Sequence, residues 1–391
     1  MTLQCQRKAF ALSKGVHYLN CAYMSPLPVE VEKAGMRGIL RKREPTDILA
    51  VDFFRERDEV RRRFANLIGV SNPTRIAIIP SASYGAAIAA RNIPVGPGDN
   101  IVILHDQFPG NVYTWMEKAS VTGAELRTVL PKSHSGAVKG KDWNERILDH
   151  MDNNTAVVSL PHVHWTDGTL FDLIAISERA RELDAALVID ATQSLGALPF
   201  DTAKIRPDVL ITAGYKWLLG PYSIGMAYFG PRFDQGVPLE ETWIGRKGSE
   251  NFSGLVDYQD SYQPGAIRYD VGESSNFILL PMLIAALTLL EEWTPGAIQD
   301  YCKHLTDRLV QQVSGLGFTT EEEQFRSGHL VGLTLPKELS LESLKQELER
   351  RRIFVSVRGH SLRISPNVYN TQADIDALTE TLDIVVKERR F

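Results

Sequence analysis

Cysteine is scarce: Cys5, Cys21 and Cys302 are the only three in 391 residues, with neither a metal-ligand spacing nor a disulfide framework. Together with a polar start, "MTLQCQRKAF", this predicts a reducing, cytoplasmic setting. Long apolar runs are also missing. The longest, "FILLPMLIAALTLL" at 277–290, covers 14 residues, whereas a membrane span needs roughly 20. It reads as a buried helix with Pro281 near its first turn, where a missing N–H is harmless. Nor is there an excess of positive charge. The 43 Lys and Arg against 48 Asp and Glu leave a net charge of -5, which argues against a nucleic-acid binder. The basic clusters "RKRE" (41–44) and "VRRRF" (60–64) sit beside acidic residues and read as solvated or subunit-facing helix surface. No Walker loop and no GxGxxG fingerprint occurs, and no repeat, low-complexity segment or long linker divides the chain.

What remains is an ordinary globular composition, 43% hydrophobic and 23% charged. Short runs rich in Val and Ile recur: "RIAIIP" (75–80), "NIVIL" (100–104), "ELRTVL" (125–130), "TAVVSL" (155–160), "ALVID" (186–190), "DVLIT" (208–212) and "IGMAYFG" (224–230). Helical stretches such as "DLIAISERARELDA" (172–185) lie between several of them. The alternation predicts an α/β fold, a mostly parallel seven-stranded sheet between helices. A smaller α+β domain is expected at the C-terminus. The expected divisions are an N-terminal segment 1–15 packing on that smaller domain, a large domain 16–275 and the small domain 276–391.

In such sheets ligands bind at the C-terminal ends of the strands, and the suggestive residues fall there. "PSASYGAA" (80–87) follows a strand and opens a helix, so the N–H groups of Ala82 and Ser83 can meet an anion, although a serine there is often only a cap. Asp190 ends "ALVID" and is either a ligand-binding carboxylate or a cap for the next turn. Gln193 can donate to a neighbouring oxygen. Phe108 and Trp165 are core aromatics or rings that stack on a ligand. Tyr215 is a core tyrosine or a phosphate donor. His162 and His164 lack the carboxylate-rich surroundings of a metal site, and no metal is expected. Lys216, in "TAGYKWLLGP", stands just beyond an apolar strand, where a bare ammonium is costly to bury.

Pyridoxal phosphate unites these pieces. It needs a lysine for its aldehyde, an acid for its pyridine nitrogen, an anion nest for its phosphate and a stacking ring. From "HYLNCAYMSPLP" (17–28) to "LRISPNVYNTQADIDAL" (362–378), and above all in "VIDATQSLGALPFD…DVLITAGYKWLLGPYSIGMAYF", the chain resembles the class V aminotransferase group of fold-type I pyridoxal-phosphate enzymes. That group includes cysteine desulfurases, kynureninases and isopenicillin-N-epimerase-like proteins. The resemblance implies that Lys216 carries the cofactor as an imine and later moves the α-proton. It implies that Asp190 faces the pyridine nitrogen and Gln193 the phenolic oxygen, with Ala82, Ser83 and Tyr215 at the phosphate. Phe108 falls at the stacking position, with Trp165 beside the cofactor, and Arg363 at the substrate carboxylate. Ser274 or Ser275, in "RYDVGESSN", would complete the phosphate site of a partner subunit, so a homodimer with interfacial active sites is expected. Asn20 is expected at the substrate, and Tyr23, Trp243 and Arg246 are further pocket candidates.

The departures bear on the reaction. "VSVRGHSLRIS" (355–365) is short and has no cysteine, which makes a cysteine desulfurase improbable. "HVHWTDG" and "QFPGN" lean towards kynureninases, but "DATQ" lacks their histidine. Ala213 replaces a serine and removes one phosphate donor. Aminotransfer is the expected reaction at the α-carbon of an amino acid. A β-lyase and an epimerase are the alternatives, and a non-catalytic binding protein lies outside them.

Overall fold

The computed structural model describes residues 2–132, 139–336, 339–359 and 361–387; His360, in the segment before Arg363, lies outside them. Seven strands form the central sheet: β2 (Ile76–Ile79), β3 (Asn100–Leu104), β4 (Glu125–Val129), β5 (Thr155–Pro161), β6 (Ala186–Asp190), β7 (Val209–Ala213) and β8 (Gly225–Phe229). A two-residue β1 (His17–Tyr18) precedes them. The sheet order is β2-β8-β7-β6-β5-β3-β4, and β8 alone runs antiparallel to its neighbours. Every residue of β2, β3, β6 and β7 is buried. Continuous β-branched runs suit strands covered by helices on both faces. Edge strand β4 is only partly buried and is correspondingly polar.

Two apolar cores lie on opposite faces of this sheet. One gathers Val102, Leu160, Leu187 and Leu210; the other gathers Ile101, Val157, Val188 and Ile211. The alternation of neighbouring residues between the two is the period-2 signature of a strand. Helix Leu279–Trp293 buries Leu280, Leu283, Leu287 and Leu290 in the first core. A third core surrounds β9 (Val331–Thr334), β10 (Ile353–Phe354), β11 (Ser356–Arg358) and β12 (Ser361–Ile364) with helices Pro295–Ser314, Leu341–Arg350 and Gln372–Lys387. There β11, β12 and β9 make an antiparallel sheet, while β10 pairs in parallel with β1. Near the start, the Gln6 N–H donates to Val368 O at 2.7 Å, and Phe10 meets the Tyr369 ring edge-on at 5.0 Å. Among the described residues no helix is long and apolar enough to cross a membrane.

Candidate active site

The C-terminal ends of β2, β3, β5, β6 and β7 open on one side of the sheet, and a cavity of about 220 Å³ lies across them. Each strand end contributes a short segment. After β2, Ser81 caps helix Ala82–Asn92 by accepting from the Tyr84 N–H at 3.2 Å. The N–H groups of Ala82 and Ser83 therefore head the helix, and both residues line the cavity. The Ser83 hydroxyl lies 3.0 Å from that of Ser81.

Asp190 is the last residue of β6. The Thr192 N–H donates to its Oδ1 at 2.9 Å. Burial raises its pKa against the pull of Thr192 and of the Lys216 charge. Lys216 follows β7 on a tight loop. The Gly214 N–H donates to Ile224 O at 2.8 Å, the Gly220 N–H to Gly214 O at 2.9 Å and the Leu219 N–H to Lys216 O at 3.1 Å. Gly214 packs so closely that a Cβ there would stand 2.6 Å from Ile224 O. Leu219 turns the loop with a left-handed φ of 58°, conformational strain of the kind found at functional sites. Held this way Lys216 is 5% exposed. Burial brings its pKa down to about 8, the Asp190 carboxylate opposes the fall, and the Arg363 and Arg358 charges add to it. Its Nζ lies 5.3 Å from the centroid of the Phe108 ring. Phe108 itself is 42% exposed and meets Trp165 edge-on at 5.4 Å.

Gln193 is oriented by its neighbours. Its Oε1 accepts from the Trp217 indole N–H at 2.9 Å, and its Nε2 donates to Ala22 O at 3.1 Å. A donor-only indole and an acceptor-only carbonyl fix which way the amide points. One amide hydrogen remains, on a residue that lines the cavity. His329 supports the same residue from below, its Nε2 donating to Gln193 O at 2.7 Å and its ring edge-on to Trp217 at 4.4 Å. Burial lowers the His329 pKa to about 4, so the ring is neutral.

A recess of about 300 Å³ adjoins the cavity and shares Phe108, Trp165, Tyr215, Lys216 and Tyr222 with it. Arg363 enters this recess at 1% exposure. One Nη donates to Trp165 O at 2.8 Å, whereas Nε and the other Nη are buried without a partner among the described residues. Burial brings the Arg363 pKa down to about 9, assisted by the like charge of Arg358. Two adjacent N–H donors left unpaired form the fork that a carboxylate fills.

Ala82, Ser83, Phe108, Trp165, Asp190, Gln193, Tyr215 and Lys216 thus share one cavity, with Arg363 in the adjoining recess. Tyr23 also lines the recess. Asn20 does not: it lies behind, its Oδ1 accepting from the Ser356 hydroxyl at 2.8 Å. Ser274 is buried beside Asp270, and the Ser275 hydroxyl donates to Phe53 O at 2.6 Å. Neither reaches the cavity of its own chain. Trp243 and Ser275 line a different hollow of about 560 Å³ with Phe53 and Phe277, and Arg246 is ion-paired with Glu241. His162 and His164 are packed against Phe200 and Trp143. Trp217, His329, Tyr222, Ser223 and Arg358 escaped the sequence reading. Ser223 lines the cavity with a left-handed φ of 64°, and Ala213 lies there too.

The model of the Aminotransferase class-V family matches residues 46–378. The chain belongs to the class V aminotransferase family. As a class V aminotransferase-family member it is 26% identical over 394 residues to isopenicillin N epimerase of Streptomyces clavuligerus, covering 98% of each chain. It is 25% identical to the uncharacterized aminotransferase YcbU of Bacillus subtilis, over 81% of this chain and 80% of that one. Among solved structures, a cysteine desulfurase of Thermococcus onnurineus superposes with a TM-score of 0.83 at 19% identity, covering 99% of both chains. The cysteine desulfurase CsdA of Escherichia coli gives 0.80 at 18% identity, covering 98% of both. The fold is that of the fold-type I enzymes, and the family's cofactor is pyridoxal phosphate. The donor set fits that cofactor: an amine of lowered pKa, a buried carboxyl, a helix N-terminus and a half-exposed ring converge on one cavity.

Proposed function

We propose that this class V aminotransferase-family enzyme uses pyridoxal phosphate to remove the α-proton of an amino acid, and that it works as an aminotransferase. The carrying observation is the buried Arg363 fork, unpaired on Nε and one Nη, in the recess that Lys216 also lines. An α-carboxylate held there brings its α-carbon to the lysine. Bound in the cavity, the cofactor supplies an electron sink for the charge that proton removal leaves behind.

The chain's own groups do the rest. The helix N-terminus at Ala82 and Ser83 and the Tyr215 hydroxyl bind the phosphate. Asp190, steadied by Thr192, shares a proton with the pyridine nitrogen. The remaining N–H of Gln193 donates to the phenolic oxygen. Phe108, with Trp165 against its edge, packs on the ring and excludes water. Lys216 takes and returns the proton, and burial, by lowering its pKa to about 8, raises the fraction present as the free amine. The full-length similarity to an isopenicillin N epimerase favours epimerisation as the second reading. β-Elimination remains the third.

The proposal includes a cytoplasmic homodimer with an active site at each subunit boundary. Two features support the dimer. The walls of the cavity and its recess expose Tyr23, Met24 and Tyr222, and Ser275 lines a separate hollow, away from its own chain's cavity, with Phe53, Trp243 and Phe277.

The test mixes purified holoenzyme with single amino acids, without a keto acid, and reads the cofactor by mass spectrometry. Recovery of pyridoxamine phosphate supports aminotransfer. Loss of chirality at the α-carbon with the aldehyde retained makes the enzyme an epimerase, and release of a side-chain fragment makes it a lyase. A colourless protein that cannot be reconstituted rejects all three.

A further inference from the structure

We propose that Arg358 binds a second negative charge on the substrate, so that the enzyme acts on amino acids whose side chain ends in a carboxylate. This rests on the reading of the recess as an amino-acid site. The first observation is register. In the β11–β12 hairpin Ser356 pairs with Arg363, Val357 with Leu362 and Arg358 with Ser361. Cross-strand partners share a face and alternate residues return to it. Val357 and Leu362 turn to the third core, so Ser356, Arg358, Ser361 and Arg363 share the opposite face. Both arginines line the recess. Arg358 sits two residues further along the hairpin, roughly 7 Å at the usual strand rise.

The second observation is charge. Among the described residues no Asp or Glu lines the recess, and Asp190 is the only one in the cavity behind it. Arg358 forms no ion pair among the described residues. Its contacts are a donation to Val357 O at 2.8 Å and the face of Trp165, 5.8 Å from guanidinium to ring centroid. Trp165 therefore serves both arginines, with its carbonyl on Arg363 and its ring under Arg358. Lys216, Arg358 and Arg363 converge as three cations that disfavour one another. An α-carboxylate fills the two orphaned N–H groups of Arg363 and leaves Arg358 uncompensated. A distal carboxylate on the same molecule completes the balance. A neutral side chain would leave a half-buried cation facing apolar atoms.

The experiment is calorimetric titration of the cofactor-loaded protein with glutarate and with butyrate, which carry two and one carboxylates and no amine to react. Glutarate is expected to bind at least tenfold more tightly. Arg358→Leu removes that difference and leaves butyrate affinity unchanged, and Arg358→Lys restores part of it. Equal affinities in the wild type overturn the proposal. Equal weakening of both ligands by Arg358→Leu also overturns it, because Arg358 then shares the α-carboxylate. Near-ultraviolet circular dichroism confirms that the variants fold. If the protein takes up no cofactor, the amino-acid-enzyme reading fails by itself, and the same titration on cofactor-free protein still decides the role of Arg358.

Discussion

Lys216 carries a thermodynamic signature. In cofactor-free protein it titrates near 8 when folded and near 10.5 when unfolded. Between these values the unfolded chain binds the additional proton, so stability rises with pH across that window. Below 8 the cost of burying the ammonium is fully present. Lys216→Met is expected to be more stable than wild type at pH 7, with the gap closing by about 3 kcal/mol between pH 8 and 10.5. Paired denaturation curves across that range check it. The same variant, loaded with cofactor, should lack the yellow band. Arg363→Ala is expected to weaken amino-acid binding by about 2–3 kcal/mol while retaining cofactor, because it removes a charged fork. Spectral titration with substrate measures the loss. That Lys216, Asp190 and Gln193 share one cavity was legible because each stands at or just beyond the end of a continuous apolar strand. Asn20 was not, since its contact with Ser356 depends on a chain crossing more than 300 residues long.

At the level of elements, the seven strands were legible because buried parallel strands carry their signal in composition alone. The supports beneath Gln193 were not. Trp217 reads as a core residue after a lysine, and only the packing shows its indole N–H fixing Gln193. Trp217→Phe releases the amide to rotate, and an amide oxygen facing the phenolic oxygen would repel it. The pH at which the bound cofactor's band half-converts is expected to rise by roughly 0.5–1 unit, since a lost donor no longer stabilises the anionic oxygen. An unchanged midpoint would count against this role. The Gly214–Gly220 loop gives a sharper outcome. Gly214→Ala forces a Cβ onto the Ile224 carbonyl, and a loss of about 1–3 kcal/mol in urea unfolding is expected.

For the whole molecule, the face bearing Phe53, Trp243, Phe252 and Phe277 is an aromatic cluster with edge-on contacts throughout. Trp243 is partly exposed on it and borders the 560 Å³ hollow. Under the dimer proposal, Trp243→Glu places a charge in that surface. Sedimentation should then show a monomer with weakened cofactor affinity. Sequence could not mark this face, because an apolar residue at a subunit boundary looks like one in a core.

A two-residue strand has the longest reach. β1 pairs with β10, Leu19 exchanges backbone bonds with Phe354 and Ser365, and the adjoining Ala22 and Ser25 hold Gln193 and Tyr215. The segment around Leu19 is thus clasped by segments more than 330 residues further along the chain. A nascent chain can assemble its central sheet, built from residues 76–229, before residues 353–365 are made, but the contacts of Leu19 must await them. The residues around Leu19 must therefore wait for a partner more than 330 positions downstream.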